Sequence, residues 1–167
     1  MKKKKNIFFG IPTISPKENL TEKVIIKIAE NIRYFSKKYN DLKILVRLHP
    51  DGLSNELILD KIKDLKNIEL HYPQQMTLEK SFETAKVSCF IFGTSLIADS
   101  LNNNCFPIIL VDKKKSYDYS GLRKTNVAFL TSSEKKFKST IIKYIKNSKN
   151  LVNVQKNIRN FLNDKKN

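Results

Sequence analysis

The residues best suited to chemistry each follow a short apolar run, and His49 is the clearest of them. It comes directly after the run Lys43 to Leu48, and Arg47 lies two residues before it. Alternate residues of a strand point to the same side, so the two groups are expected together. Both suit phosphate, since Arg presents a fork of donors and His can donate a hydrogen bond or a proton to a departing phosphate oxygen. Taken alone, a His before Pro is more often a turn residue whose ring is already satisfied.

Two hydroxyls and a carboxylate follow later runs. Thr94 and Ser95 stand at a tight strand-to-helix junction after Gly93, where hydroxyls and free amides can cradle a phosphate or simply cap the helix. Glu79 lies near the start of a short helical segment and can accept hydrogen bonds from a ribose or from the amino edge of a base. A Glu in a first turn is also common for its interaction with the helix dipole.

The elements that must position these residues alternate between short apolar runs and longer segments of helical period. That alternation predicts repeated βα units and a mostly parallel sheet. The predicted strands are Asn6 to Ile11, Lys43 to Leu48, Ile68 to Tyr72, Val87 to Phe92, Phe106 to Val111 and Val127 to Leu130. Predicted helices begin near Thr21, after a Ser54 cap, at Thr77, at Leu96, at a Thr131/Glu134 capping box and at about 149, the last ending near 163 before a disordered polar tail at 164–167.

These elements predict an α/β fold, namely a three-layer Rossmann-like domain with about six strands. A length of 167 residues suits a single domain spanning 1–167. In an open parallel sheet, ligands bind beyond the carboxyl ends of the strands, beside the point where strand order reverses. We therefore expect the candidate site residues to converge there: Gly10, Thr13, Arg47, His49, Pro50, Glu79, Thr94 and Ser95.

The net charge of +16 is the one extreme feature of the composition. It could mark nucleic acid or an anionic membrane face as a partner. However, the lysines are spread over most of the chain among many asparagines, a pattern that an AT-biased genome produces, and no single element concentrates them. A basic loop with aromatics, Lys113 to Tyr119, fits a solvated loop better than a nucleic-acid platform. We expect no nucleic-acid partner.

Other chemistries find little support in the residues. The only two histidines, His49 and His71, belong to no cluster with metal-ligand spacing, and there is no Walker loop, no G-x-G-x-x-G and no G-x-S-x-G. Cys89 and Cys105 lie in apolar surroundings and are expected as buried small hydrophobes in a reducing, cytoplasmic protein. No metal and no cofactor are expected.

With these residues in place, the chain resembles, over nearly its whole length, the C-terminal domain of bacterial GT-B sialyltransferases and polysialyltransferase-like enzymes. The segments IFFGIPTIS, ILVRLHPDG, QMTLEKSFE and FGTSLIADSL carry the resemblance. It implies that His49 is the catalytic residue, a leaving-group acid or electrostatic stabiliser at the phosphate of a CMP-sugar, with Arg47 as a supporting phosphate contact. It further implies that Glu79 recognises cytidine and that Thr94 and Ser95 hold phosphate, although the family commonly has two serines there.

In that family an N-terminal domain supplies the acceptor site and a catalytic aspartate, and this chain begins where the second domain begins. The resemblance thus implies the donor-binding half of an inverting, metal-independent transferase of sialic acid or a related sugar for surface polysaccharide or lipooligosaccharide synthesis. A glycan or glycolipid acceptor would bind through the other domain, at the cytoplasmic membrane face if association is peripheral. Alone, the chain is expected to bind nucleotide weakly and transfer nothing. A UDP- or CDP-linked donor and a noncatalytic basic binding module remain the alternatives.

Overall fold

Strands and helices alternate along the chain in the computed structural model, which describes residues 6–14, 21–52, 54–91, 94–112, 122 and 125–164. The strands are β1 (Asn6–Gly10), β2 (Lys43–Arg47), β3 (Ile68–His71), β4 (Val87–Ile91), β5 (Phe106–Leu110) and β6 (Phe129–Thr131). The helices are α1 (Glu22–Lys38), α2 (Asn55–Ile62), α3 (Leu78–Glu83), α4 (Leu96–Asn102), α5 (Glu134–Lys146) and α6 (Ser148–Asp164). Each predicted strand is present: five begin at the predicted residue and end one residue earlier, and β6 begins two residues later and ends one residue later.

The six strands form one open sheet in the order β3-β2-β1-β4-β5-β6, which confirms the predicted α/β class. β1 pairs with β2 and β2 with β3 in parallel, as do β4 with β5 and β5 with β6. The chain divides into two compact units, Met1–Ala85 and Lys86–Asn167, which we call the first and the second unit. A single domain over 1–167 stays a prediction.

In the first unit, helices cover both faces of β1, whose residues are all buried. The ring of Phe9 lies 6.3 Å from that of Phe35 in α1, whereas the ring of Phe8 lies 4.4 Å from that of Phe82 in α3. Successive strand residues point to opposite faces, so α1 and α3 lie on opposite sides of the strand. This unit therefore has the predicted three layers.

In the second unit, β4 and β5 are buried along their whole length, and α4, α5 and α6 all contact β5. A small polar cluster lies inside these layers. Ser88 Oγ is 2.5 Å from Ser100 Oγ, which donates to the backbone oxygen of Cys105 at 2.8 Å. Burial raises the pKa of the Cys105 thiol to about 12 and also raises that of Cys89. Both cysteines are free and buried, as predicted.

One predicted helix cap is in place without its hydrogen bond, and another is wrong. Ser54 is the N-cap residue of α2, yet it makes no capping bond, because its buried hydroxyl donates to the backbone oxygen of Pro12 instead. α5 is capped by Ser133, whose hydroxyl accepts from the Lys136 amide, and not by Thr131. β6 runs one residue further than predicted and ends at Thr131, so the chain enters the helix later.

Some predictions fall outside the described residues. These are the first loop from Ser15, the junction glycine Gly93, the basic loop Lys113 to Tyr119 and the tail from 165. Within the described part of the chain, no helix is both long and apolar enough to cross a bilayer.

Candidate functional site

The carboxyl ends of three strands lie side by side in the first unit. Gly10, Arg47 and His71 occupy matching positions in β1, β2 and β3. The backbone pairing continues one residue beyond the strands. The Ile11 amide donates to the Arg47 carbonyl oxygen at 3.0 Å, and the Leu48 amide donates to the His71 carbonyl oxygen at 3.1 Å. The loops that follow, with Pro12 and Thr13 after β1 and His49 after β2, therefore leave the sheet along one edge, as the sequence predicts for this unit.

The imidazole of His49 is partly exposed and is held on one side only. Its Nδ1 lies 2.9 Å from a carboxylate oxygen of Asp51 and 3.3 Å from the Asp51 amide nitrogen. If Nδ1 donates to the carboxylate, Nε2 is an acceptor in the neutral ring; if Nδ1 accepts from the amide, or if the ring is protonated, Nε2 is a donor. Nε2 makes no hydrogen bond to any described residue. The ring can therefore present a proton to a bound anion whenever Nε2 carries one.

The main chain of His49 is clamped by Asn55, a residue that the sequence analysis missed. The His49 amide donates to Asn55 Oδ1 at 3.0 Å, and Asn55 Nδ2 donates back to the His49 carbonyl at 2.9 Å. Gly52 closes the same turn by donating its amide to the His49 carbonyl at 3.3 Å, with a left-handed φ of 75°. Hydrogen bonds to both main-chain groups of His49 therefore fix the turn. Pro50 in this turn is exposed.

The loop after β1 is tied to the same region by Ser54. This side chain is fully buried, and its Oγ lies 2.5 Å from the Pro12 carbonyl oxygen. The next residue, Thr13, has a buried Oγ1 without a hydrogen-bond partner among the described residues. Buried hydroxyls are rarely left unpaired, so this one has a hydrogen bond to offer to a water or a ligand. Gly10 is buried within β1.

Arg47 is built into the first unit rather than presented at its surface. Its Nη1 donates to the Met76 carbonyl at 2.6 Å and to Ser81 Oγ at 3.1 Å, and the residue is 9% exposed. Burial lowers its pKa, and the carboxylate of Glu79 works in the opposite direction. Arg47 therefore fixes the segment that carries Glu79, which is itself exposed in the first turn of α3. Direct contact of Arg47 with phosphate stays a prediction.

Thr94 and Ser95 lie in the second unit. Thr94 Oγ1 accepts from the Leu96 amide at 3.3 Å, so it acts partly as a local cap, whereas the Ser95 side chain makes no capping bond and is exposed. Both line a cavity of about 400 Å³ whose other walls are mainly apolar: Ile97, Ala98, Leu101, Asn102, Leu122, Phe161 and Leu162. Convergence of these hydroxyls with His49 stays a prediction.

The second histidine of the chain, His71, is part of the buried sheet and is not presented to solvent. His71 is 2% exposed, and its Nε2 lies 2.9 Å from Glu69 Oε1, while Glu69 also pairs with Lys43. Among the described residues, no group of three or more His, Cys, Asp or Glu side chains is placed to hold a metal ion.

No protein-family model and no curated protein sequence matches the chain. Solved structures share its fold. A UDP-GlcNAc 2-epimerase from Neisseria meningitidis, bound to UDP-GlcNAc, gives a TM-score of 0.66 at 16% identity, over 95% of this chain and 40% of that one. The spinosyn rhamnosyltransferase SpnG gives 0.64 at 10%, over 95% and 42%. S. aureus MnaA with UDP gives 0.62 at 15%, over 92% and 39%.

These neighbours define the class of fold, a Rossmann-like α/β unit that matches one half of the GT-B glycosyltransferases. The chain spans about two fifths of the length of each of these three structures.

Proposed function

We propose that this chain is the donor-binding half of a glycosyltransferase and binds a sugar linked to a pyrimidine nucleotide. The His49 turn carries the proposal. Its main chain is held by Asn55, its Nδ1 is occupied by Asp51, and its Nε2 makes no hydrogen bond to any described residue. Fixed donors aimed at developing charge are the largest single contribution to many enzymatic rate enhancements. The Thr13 hydroxyl on the neighbouring loop, which has no partner among the described residues, supports an anion at the same edge.

The chemistry proposed for His49 is stabilisation of the leaving group. When the bond between the anomeric carbon and the phosphate oxygen breaks, its electron pair stays on that oxygen. The Nε2 proton of His49 then hydrogen-bonds to the oxygen or is transferred to it, and Asp51 stabilises the ring on the other side. In this proposal Glu79 recognises the base, Thr94 and Ser95 contribute hydroxyls, and Pro50 shapes the turn. An inverting, metal-independent transfer completed by another domain belongs to the same proposal.

Two donor classes are compatible with the site. The resemblance to sialyltransferases implies CMP linked to sialic acid or a related sugar, and a glycan or glycolipid acceptor in surface polysaccharide or lipooligosaccharide synthesis at the cytoplasmic membrane face. The fold neighbours, by contrast, are described with UDP-GlcNAc, UDP or thymidine diphosphate. A UDP- or TDP-linked donor is therefore the second candidate, supported by the fold. All of these share a pyrimidine and at least one phosphate.

Calorimetry of the whole chain with CMP, CDP, UMP, UDP and TDP tests the proposal. We expect heat with at least one of them, a preference over ADP, and roughly tenfold weaker binding for His49→Asn, which removes the ring donor. The best ligand identifies the base and the number of phosphates. The absence of binding heat with all five pyrimidine nucleotides would refute the assignment of a nucleotide-binding site. Sugar transfer by the purified chain alone refutes its description as half of an enzyme.

A further inference from the structure

The last two helices carry a long stretch of basic residues without any acid. Between Glu134 and Asp164 the sequence has no Asp or Glu and eight basic residues. The second unit as a whole has 16 basic and 5 acidic residues, whereas the first has 16 and 11. The excess charge of the chain therefore lies mainly in the second unit, although the sequence alone showed no element that concentrated it.

The structure turns these basic residues outward on α5. Phe137, Ile141 and Ile145 form the buried side of this helix. Five of its positions are exposed, and four of the five are lysine: Lys135, Lys136, Lys143 and Lys146, with Ser139 as the fifth. At 100° per residue these five positions fall within one arc opposite the buried side. The solvent face of α5 is therefore almost entirely cationic.

The adjoining helix α6, which packs against α5, extends this surface. Lys149, Lys156 and Arg159 are exposed on one side of it, at spacings of seven and three residues. Val152 lies on the same side and is 58% exposed, the one large hydrophobic residue classed as exposed in the described part of the chain. We call the exposed cationic residues of these two helices, together with Val152, the α5–α6 surface: Lys135, Lys136, Lys143, Lys146, Lys149, Val152, Lys156 and Arg159.

We propose that the α5–α6 surface binds the anionic headgroups of a lipid bilayer. Charge complementarity is the first argument, because each exposed Lys or Arg near an anionic membrane adds a similar increment of attraction. Composition is the second. Seven cations, six of them Lys, spread over two helices suit a diffuse layer of charge better than the forked, base-specific contacts that favour Arg. None of the exposed residues on this surface is aromatic, so it offers no platform for stacking bases. The exposed Val152 suits the apolar edge of the headgroup layer.

Sedimentation of the whole chain with vesicles tests this surface. We expect binding to vesicles of phosphatidylcholine with phosphatidylglycerol, no binding to phosphatidylcholine alone, and loss of binding between about 50 and about 500 mM NaCl. Reversing four charges on the surface should lower the partition coefficient at least about 1,000-fold. The variant combines Lys136→Glu, Lys143→Glu, Lys156→Glu and Arg159→Glu.

A matched control reverses four exposed lysines of the first unit: Lys23→Glu, Lys37→Glu, Lys61→Glu and Lys66→Glu. Both variants have the same net charge, so an equal loss in both overturns the surface and leaves only a net-charge effect. Val152→Asn should weaken vesicle binding a fewfold. Tight binding of an RNA oligonucleotide that depends on the same four residues, without vesicle binding, overturns the lipid assignment. His49→Asn should leave vesicle binding unchanged, which separates this proposal from nucleotide binding.

Discussion

The two units use side-chain hydrogen bonds differently. In the first unit, three such bonds fix loops at the carboxyl ends of the strands: buried Ser54 holds Pro12, half-buried Asn55 holds His49, and buried Arg47 holds Met76. In the second unit, Ser88, near the start of β4, and Ser100 bond to each other, and Ser100 bonds to the carbonyl just before β5. The first network positions residues that face solvent, whereas the second connects layers of the core.

The two units also differ in the distribution of their surface charges. On α1 and α2, acids and bases are mixed, and Arg33 of α1 pairs with Asp64 in the turn that follows α2. On α5 and α6, cations stand almost without acids. Mixed charge favours a solvated face, whereas a single sign favours a charged partner. The two proposals follow this difference: a small anionic ligand for the first unit and an extended anionic surface for the second.

The largest expected effect concerns the cysteines, both of which lie in the second unit. Because the pKa of Cys105 is raised to about 12 and that of Cys89 is also raised, thiolate is scarce in the native protein. At about pH 8 we expect thiol reagents to label the native chain roughly 1,000-fold more slowly than the unfolded chain. Stopped-flow labelling with and without denaturant measures the ratio. Rapid labelling of either thiol in the native state would show that the core of the second unit is open.

Removing the buried cation of the first unit should cost stability. Arg47→Met leaves the Met76 carbonyl and the Ser81 hydroxyl without their donor, and we expect the free energy of unfolding to fall by about 2 to 4 kcal/mol. Urea denaturation followed by circular dichroism measures this. Arg33→Met is the matched control, because Arg33 pairs with Asp64 at the surface and should cost much less. An equal loss of unfolding free energy in the two variants would mean that Arg47 contributes no more to stability than a residue of a surface ion pair.

The clamp on His49 should matter for ligand binding more than for folding. Asn55→Ala leaves the His49 amide without its acceptor and the His49 carbonyl with the Gly52 amide alone, so we expect nucleotide affinity to fall about 10- to 100-fold while the protein stays folded. Calorimetry well below the unfolding temperature gives the ratio of dissociation constants. Asn157→Ala, at an exposed position of α6, should leave it unchanged. Unaltered affinity in Asn55→Ala would remove this residue from the site.

The smallest effect is the acid sensitivity of the first unit. Lys43 and His71 lower the pKa of Glu69 below its ordinary value of 4.5. Its contribution to stability is therefore present above that value and is lost as the pH falls through the lowered pKa. The side chain is 36% exposed, so we expect Glu69→Gln to cost less than about 1 kcal/mol at neutral pH. Urea titrations at about pH 7 and about pH 3 should show a flatter pH dependence in the variant; an unchanged slope would contradict it.

Much of the fold was predictable because local patterns determine it. Runs such as Lys43 to Leu48 and Phe106 to Val111 are too apolar and too short for anything but buried strands, and the helical stripe of α1 is visible in Ile25, Ile28 and Ile32. Predictions failed where two possible partners competed. Ser54 has the sequence context of a helix cap, yet it bonds to a carbonyl 42 residues earlier, which no local pattern reveals.

The candidate site was predictable in part for a similar reason. His49, Thr13 and Glu79 stand after strands, where topology gathers ligand contacts, so strand prediction was enough to find them. Asn55 was missed because its role depends on the geometry of the turn it closes. The sequence likewise did not reveal that Arg47 donates to the Met76 carbonyl and the Ser81 hydroxyl, and its contact with phosphate stays a prediction. The α5–α6 surface can be recognised only once the structure shows that the lysines lie on the side of the helix opposite the buried Phe137 and Ile141.

Gly52 gives the His49 turn a backbone conformation that L-amino acids rarely adopt. Its backbone is left-handed, yet a β-carbon built at this position would meet nothing within 4 Å. The barrier to a side chain there is one of chirality and not of crowding. A D-alanine introduced by semisynthesis would accept this handedness without strain and would restrict the unfolded chain more than glycine does. The mirror-image residue should therefore stiffen the turn, whereas its natural enantiomer should disturb it.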